Sequence, residues 1–599
     1  MLAKAVPPVE ELEYDPERFT VLRDRAGLFL NPFDQRALRV ALELRRPGER
    51  VRLLSMGPPA ARGVLKEAIV HGVDEVLLVS DPALVGSDTL ATARILAAAL
   101  RALPHDLVLA GAWTTDSETG QVPPEVAAIL GRPVITGARA IARDREGSGF
   151  EISVDTPSGW ARFRARTPCV VSVGEKIAKP LKATAEALAA VPESRVALLD
   201  RGSLGVAASD VGLTGSPTWV ESVEEDAPVR RPEVFADGPL ADRVSRAVEA
   251  VRVRLARPTA PLPALGPPPA HRAEDLEVIV LVTDPLGRCA GGALGAVSEV
   301  RRSWPGYWPT VLWIGAPPTE ADTYRLDLSG ALGGYLAPAP RAPIGSADAA
   351  AVLGDLLDRR PRAAAVLFLA DAYGREVAGL LAGRRGLGLI GDAVGLGRDA
   401  RGFVFSKPSF GGRTVARIRS RTTPALATVR PGSFVPAAER GDGGGVSWQV
   451  LPPAPAASPL QFLESGREVD EGSGPEGHDV VVAVGLGIGG PEGIERLRPF
   501  AARWHAAIGG TRRVVDAGWL PRQLQIGLTG RSLAPRLGVL LGVGGSGNHL
   551  VGWQRAGTLL AVNRDPSAPV FRGVDVGIVG ELDEVLPRLA EALARALDA

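Results

Sequence analysis

The chain has little cysteine and histidine, no net charge and no long apolar run, and each shortage removes a class of function. Its 599 residues include two cysteines, Cys169 and Cys289. These lie too far apart for a zinc or dithiol motif, and such sparse usage suits a reducing cytoplasm. Six histidines without metal-ligand spacing give no reason to expect a metal centre or a hydrolytic triad. Lysine plus arginine number 68 and aspartate plus glutamate 68, so there is no basic footprint for nucleic acid or an anionic membrane. No stretch approaches the roughly 18–20 apolar residues that cross a bilayer. Pro7-Pro8-Val9-Glu10-Glu11 turns polar before an apolar core develops, which argues against a signal peptide. The expectation is a cytoplasmic protein with no nucleic-acid partner and no membrane span.

What is present is an alternation of apolar, strand-like runs with amphipathic helical segments, the pattern of α/β sheets covered by helices on both faces. Residues 51–56, 75–80 and 106–111 read as strands, with helices over 59–71 and 89–102 between them. Further units open at 276–282 and 480–485. The length accommodates about three or four domains, each with its own core. The proline-rich stretch 257–275 cannot pair in a sheet and reads as a linker. Gly/Glu/Ser-rich residues 464–478 read as a hinge. The expected domains are therefore 1–256, 276–463 and 479–599. The opening strand is short, either an abbreviated edge strand or a misassigned start.

Three N-terminal segments suggest a nucleotide pocket: Leu30-Asn31-Pro32-Phe33-Asp34, Ser55-Met56-Gly57-Pro58 and Asp116-Ser117-Glu118-Thr119-Gly120-Gln121-Val122. Gly57 and Gly120 allow backbone N–H groups to approach phosphate oxygens, and a following helix N-terminus adds a favourable dipole. Thr119 and Gln121 can add donors. Singly, each segment is more often a structural turn; together they predict a site. Gly86-Ser87-Asp88-Thr89-Leu90-Ala91-Thr92-Ala93 is either an ordinary helix cap at Ser87 or Asp88, or small-residue space for a larger ligand.

The last ninety or so residues carry the densest motifs. They run Gly509-Gly510-Thr511-Arg512-Arg513, Gln525-Ile526-Gly527-Leu528-Thr529-Gly530, Gly542-Val543-Gly544-Gly545-Ser546-Gly547-Asn548-His549 and Asn563-Arg564-Asp565-Pro566. Asn563 and Asp565 follow the apolar run Leu559-Leu560-Ala561-Val562, at the carboxyl end of a buried strand, where α/β sheets bind ligands.

In order and spacing, these last motifs resemble the FAD-binding domain of the electron transfer flavoprotein alpha subunit. The N-terminal third resembles the beta subunit of the same family. Residues 276–434, through Gly374-Arg375-Glu376, Gly391-Asp392-Ala393, Lys407-Pro408-Ser409 and Arg430-Pro431-Gly432-Ser433-Phe434, resemble the alpha subunit's first domain. The resemblance implies a fused chain, beta half first. The implied fold is α/β: adenine-nucleotide-hydrolase-like doubly wound parallel sheets in the beta half and first alpha domain, with a C-terminal Rossmann-like FAD domain.

FAD would be held by Thr511, Arg512, Gln525, Gly527, Thr529, Gly530, Gly542, Gly544, Gly545, Ser546, His549, Asn563, Asp565 and Glu581. Within that set, Arg512 would face the flavin, His549 would donate to its pyrimidine carbonyl and Thr529 would bond the central ring nitrogen. AMP or a second FAD would sit in the beta-like half at Asn31, Ser55, Gly57, Asp88, Thr89, Thr92, Asp116, Thr119, Gly120, Gln121 and Val122. Electrons would pass from a dehydrogenase or NADH to a quinone oxidoreductase-type acceptor, and a second FAD would make the protein an NADH-oxidising, electron-bifurcating oxidoreductase. A compact monomer is the simplest assembly.

The chain departs from the family pattern at Leu486 (an arginine in the pattern), Leu528 (glutamine), Gly544 (serine) and Glu581 (aspartate). Residues 175–184 lack the usual Asn-Glu-Pro-Arg-Tyr docking pattern, which puts acyl-CoA dehydrogenase docking in doubt. A nicotinamide-linked α/β dehydrogenase competes through Gly485-Leu486-Gly487-Ile488-Gly489-Gly490. There, however, the third glycine is mis-spaced and no acidic residue follows at about 20 positions. A non-redox adenine-nucleotide-binding protein is the third reading. The flavin reading predicts that Arg512→Ala lowers the FAD potential. A cation about 4 Å away is worth roughly 4 kcal/mol at an effective dielectric near 20. If solvent leaves about a third, the shift is on the order of 50–60 mV by potentiometric titration.

Overall fold

Val480-Val481-Val482-Ala483-Val484 is apolar on both faces, which a strand tolerates only when covered from both sides. In the structure, a computed structural model, it forms the strand Val480–Val484, buried throughout. The structure describes residues 1–8, 15, 27–156, 159–224, 230–256, 265, 276–339, 343–409, 414–437, 445–455, 459–467, 474, 475, 477–527 and 530–598.

Around Val480–Val484 lies a parallel sheet in the order Glu233–Phe235, Val576–Val579, Thr558–Asn563, Leu537–Leu541, Val480–Val484, Ala506–Gly510. Its outer strand comes from the N-terminal half of the sequence, since Glu233–Phe235 pairs with Val576–Val579. The helix Leu240–Leu255 follows and presents Val244, Ala247, Val248 and Val251, a one-sided apolar stripe, to the C-terminal core. That core also holds Leu589 and Leu593 of the last helix, Leu582–Asp598.

The middle unit is a seven-stranded parallel sheet in the order Leu389–Ala393, Ala425–Val429, Ala365–Leu369, Glu277–Leu281, Trp308–Gly315, Gly333–Pro338, Trp448–Val450. The N-terminal half starts from Val196–Leu199, Glu75–Val79 and Arg52–Met56, paired in parallel. The expectation of a short edge strand at the start of the chain fails, because that strand is internal. Leu2 bridges Leu54, Leu54 N–H donates to Met1 O at 2.9 Å, and Leu2 N–H donates to Leu109 O at 2.7 Å. Both sides of this short segment are therefore paired. From Leu107–Gly111 the sheet continues through Cys169–Val173, Val134–Arg143, Gly149–Thr156, Gly159–Arg166 and Leu460–Arg467.

Strands cross between units in both directions. Thr218–Glu224 pairs antiparallel with Thr414–Ser420 of the middle unit, and Leu460–Arg467 pairs antiparallel with Gly159–Arg166. Residues 464–467, the beginning of the expected hinge, are therefore strand. The remainder at 468–473 and 476, and 257–264 and 266–275 of the expected linker, lie outside the described residues. One apolar core joins the N-terminal half to the middle unit: Val126 and Ala127 of helix Val122–Leu130 pack with Ala378, Leu381 and Ala382 of helix Ala372–Arg385. The helices approach closely, since a Cβ added at Gly383 would lie 2.7 Å from Ala128 Cβ.

The helix Leu240–Leu255 thus stabilises a sheet far from it in sequence. Val251, fully buried, lies in the C-terminal core. Val251→Asp strands an unpaired charge there and is expected to cost on the order of 3 kcal/mol or more. The check is a loss of thermal stability and of C-terminal ligand retention, while the N-terminal half stays folded in limited proteolysis.

Candidate functional site

The C-terminal sheet reverses its strand order at Val480–Val484, with Ala506–Gly510 on one side and Leu537–Leu541 on the other. Loops leaving the carboxyl ends of strands at such a switch point diverge and open a crevice. Here the crevice is a cavity of about 430 Å³. Of the residues expected to hold FAD, Thr511, Arg512, Gln525, Gly527, Gly542, Gly544, Gly545, Ser546, His549 and Asn563 line it. Arg513, Ile526, Val543 and Asn548 complete the wall, with Gly485, Leu486 and Gly487, and the sequence reading gave none of these a ligand role.

Glycine is required where backbone packs on backbone. Gly545 has φ +84°, and a Cβ there would collide with the backbone of Val570. A Cβ on Gly485 would strike the Gly542 carbonyl. Gly544 differs: a Cβ there meets nothing within 4 Å, because it faces the open cavity. Asn563 ties the floor together, its Nδ2 donating to Val543 O at 2.9 Å while its Oδ1 accepts from Asp565 N–H at 3.0 Å. Asp565 itself is exposed and turns its carboxylate onto Ser567 (Oδ1 to the Ser567 hydroxyl, 2.7 Å). Gly530 and Glu581 are also exposed and do not line the cavity, and Thr529 lies outside the described residues.

Two charged or polar residues behave differently from their expected roles. The Arg512 guanidinium stands at the rim, paired with Glu175 of the N-terminal half and, at 3.4 Å, with Asp516. Two carboxylates so close offset part of its field, so the shift for Arg512→Ala falls below the value expected for an unpaired cation. His549 is buried, and both ring nitrogens are engaged: Nδ1 with Ile526 O at 3.0 Å, and Nε2 accepting from Trp553 Nε1–H at 3.1 Å. Burial pushes its pKa down to about 4. In this arrangement both ring nitrogens are bonded within the protein.

Of the sites expected in the N-terminal half, Asn31 follows Phe29–Leu30, Ser55 and Gly57 lie at the carboxyl end of Arg52–Met56, residues 88–92 come after Glu75–Val79, and residues 116–122 come after Leu107–Gly111. Asn31, Ser55, Asp116 and Gln121 are buried. Asn31 Nδ2 donates to Trp113 O at 2.8 Å, and Asp116 pairs with Lys4 at 2.6 Å. Gly57 N–H is committed to Val79 O at 3.1 Å, so it is not the phosphate donor expected from the sequence. Gly120 has φ +63° and packs against the Trp113 ring. Asp88 caps the helix Thr89–Ala102 and binds the Thr218 hydroxyl at 2.7 Å, anchoring the strand that crosses to the middle unit. Thr89 lies 3.0 Å from Gln121 Oε1 and from Glu125 Oε1, and Thr92 is half-buried on the same helix. Thr119 and Val122 are also half-buried, flanking Gln121 at the start of helix Val122–Leu130. Asn31 Oδ1, Ser55 Oγ, Gln121 Nε2 and Glu125 Oε2 find no hydrogen-bond partner among the described residues. Buried polar atoms left in that state are costly and call for a partner. Glu125, four residues after Gln121 on one helix face, was missed by sequence reasoning, although the i, i+4 spacing carried the signal.

The C-terminal unit docks on both others. Gln523 Nε2 donates to Gly159 O at 3.1 Å, Arg555 bonds Val394 O and lies 5.2 Å from the Phe434 ring, and Gly432 abuts Ser532. Among the described residues no group of histidine, cysteine and acidic side chains could hold a metal ion, and no helix is long and apolar enough to cross a membrane.

Residues 18–199 and 292–453 match the electron transfer flavoprotein domain, and residues 476–554 match the electron transfer flavoprotein FAD-binding domain. The chain belongs to the electron transfer flavoprotein family. The electron transfer flavoprotein subunit alpha of Thermoanaerobacterium thermosaccharolyticum is 33% identical over 234 residues, 38% of this chain and 71% of that subunit. The subunit beta of the same organism is 31% identical over 256 residues, 42% of this chain and 97% of the subunit. The subunit beta of Clostridium acetobutylicum is 34% identical over 219 residues, 36% of this chain and 84% of the subunit. A single polypeptide therefore joins beta-like and alpha-like parts, beta first. All but one of the residues lining this glycine-walled cavity lie in the stretch that matches the FAD-binding domain, and its bare backbone N–H groups suit a phosphate-bearing cofactor such as FAD.

The two neighbouring glycines give a paired prediction. Gly545→Ala is expected to cost on the order of 2 kcal/mol or more and to reduce FAD retention, because a positive φ and a backbone collision coincide. Gly544→Ser is expected to fold with an unchanged melting temperature and to place a hydroxyl in the cavity. Thermal denaturation followed by flavin fluorescence separates the two.

Proposed function

We propose that this chain is a single-polypeptide electron carrier. On this reading FAD occupies the C-terminal cavity and an adenine nucleotide, as AMP or as the AMP portion of a second FAD, occupies the beta-like half. The observation that carries the proposal is the cavity at the strand-order reversal of the FAD-binding domain, opening toward the beta-like half where Arg512 meets Glu175. Bound FAD would supply the reversible uptake and release of electrons.

The protein's own residues have definable tasks. Gly542, Gly544 and Gly545 allow the backbone to close on phosphates, and Asn563 keeps the floor loop in place. Arg512 and Arg522 put positive charge at the junction, where burial and the nearby Arg512 hold the Arg522 guanidinium below its ordinary value. Desolvated cations favour an anionic ligand. In the beta-like half, Asn31, Ser55 and Gln121 offer the unmet polar atoms, and Lys407 of the alpha-like part donates to Ser117 O at 2.6 Å, bracing the same loop. The donor is a dehydrogenase or NADH and the acceptor a quinone oxidoreductase-type protein, in a cytoplasmic setting.

Heat release of cofactors from the purified chain, with FAD and AMP quantified per polypeptide, tests this. One FAD with one AMP marks the simple carrier. Two FAD mark the bifurcating form, and NADH should then bleach the flavin absorbance. A colourless protein would sink the proposal.

A further inference from the structure

Where the helix Thr89–Ala102 begins, one hydroxyl stands between two acceptors on the helix Val122–Leu130 and its cap. Thr89 Oγ1 lies 3.0 Å from Gln121 Oε1 and 3.0 Å from Glu125 Oε1. A hydroxyl has one proton to give, and an amide carbonyl and a carboxylate can only accept. Two arrangements satisfy both contacts. In the first, Glu125 is ionised and takes the Thr89 proton, and the Gln121 amide is turned over so that its nitrogen donates to Thr89. In the second, Glu125 is a neutral acid that donates to Thr89, and Thr89 donates to the Gln121 carbonyl.

The surroundings of Glu125 select the second. Glu125 is fully buried. The neighbouring carboxylate, Asp88, already holds three donors: Ala91 N–H at 2.9 Å, Thr218 N–H at 2.9 Å and the Thr218 hydroxyl at 2.7 Å. Glu125 has the Thr89 hydroxyl, and its Oε2 meets no partner among the described residues. Arg94, the cation whose field reaches both carboxyls, binds the carbonyl oxygens of Asp210 and Gly215 at 3.3 and 3.1 Å. Of two carboxyls in one buried space, the one with more donors keeps the charge and the other keeps the proton. Burial and the Asp88 charge hold Glu125 well above the usual carboxylate range.

With Glu125 neutral, the Gln121 carbonyl is spent on Thr89 and its NH₂ group points the other way. That nitrogen is buried and meets no partner among the described residues. It lies on the side of Thr119 and of Gly391 in the strand Leu389–Ala393: a Cβ added at Gly391 would be 2.9 Å from Nε2 and 3.9 Å from Thr119 Cα. We propose that Glu125 is a positioning residue: as a neutral acid it acts through Thr89 to make Gln121 a hydrogen-bond donor to a phosphate oxygen of the adenine nucleotide. The inference rests on the nucleotide reading of the beta-like half above. A buried NH₂ group gains most from a charged acceptor. An ionised Glu125 would turn the amide oxygen outward instead, and that oxygen repels an anion.

The test uses the full chain as purified. In the infrared difference between the wild type and Glu125→Gln, the expected signal is loss of the C=O band of a protonated carboxylic acid. Loss of ionised-carboxylate bands instead overturns the proposal, whether or not a more disruptive variant folds. The amide introduced by Glu125→Gln can still donate to Thr89, so this variant is expected to exchange its bound nucleotide with labelled AMP at the wild-type rate. Glu125→Leu and Thr89→Val break the relay and are expected to exchange about tenfold faster, the loss of about one hydrogen bond. Folded forms of these two that exchange at the wild-type rate reject the positioning role, and so does a Glu125→Gln chain that exchanges as fast as Glu125→Leu. A wild-type chain that purifies without AMP or a second FAD sinks the nucleotide reading itself. The wrong infrared band in a nucleotide-loaded chain sinks this proposal alone.

Discussion

An open sheet leaves unpaired N–H and C=O groups along its outer strands, and this chain covers such edges with strands borrowed from distant parts of its own sequence. Leu460–Arg467 extends the beta-like sheet, Glu233–Phe235 extends the FAD-binding sheet, and Thr218–Glu224 joins the antiparallel strands of the alpha-like first domain. Each exchange satisfies backbone groups that would otherwise invite aggregation, and each ties two units together. The relative placement of the cavity and the beta-like half depends on these pairings. With them in place, Arg512 reaches Glu175 and Gln523 reaches Gly159.

Fusion suits this arrangement. The helix Leu240–Leu255 belongs by sequence to the beta-like part and by packing to the FAD-binding core. A chain that continues from it into the alpha-like part links units already committed to one another. The shared core of Val126, Ala127, Ala378 and Leu381 makes the beta-like half and the first alpha-like domain a single base, against which the FAD-binding unit rests through polar contacts such as Gln523 to Gly159 and Arg555 to Val394. Interfaces of that kind permit motion between domains.

The electrostatics of the cavity are set less by which polar residues line it than by how those residues are already bonded. Arg512 is a cation beside two carboxylates, and His549 is a base whose lone pair and proton are both committed. A list of side chains would make this a cationic, donor-rich pocket. The hydrogen-bond pattern commits the His549 ring within the protein and holds the Arg512 charge at the rim beside carboxylates, leaving Arg513 as a cation of the wall.

The sequence by itself determined the α/β class, the positions of the main strands and helices, and most of the cavity lining. Those depend on local patterns: Val480–Val484 is apolar on both faces, Thr89–Ala102 follows a cap at Asp88, and glycines mark Gly542 and Gly545. It also revealed the family, because motif order survives without contacts. Tertiary structure alone decided that the opening strand is internal, that residues 464–467 pair with the beta-like sheet, and that Trp553 occupies the His549 nitrogen. Strand neighbours and hydrogen-bond partners across a core depend on distances through space, and those distances leave no periodic mark along the chain.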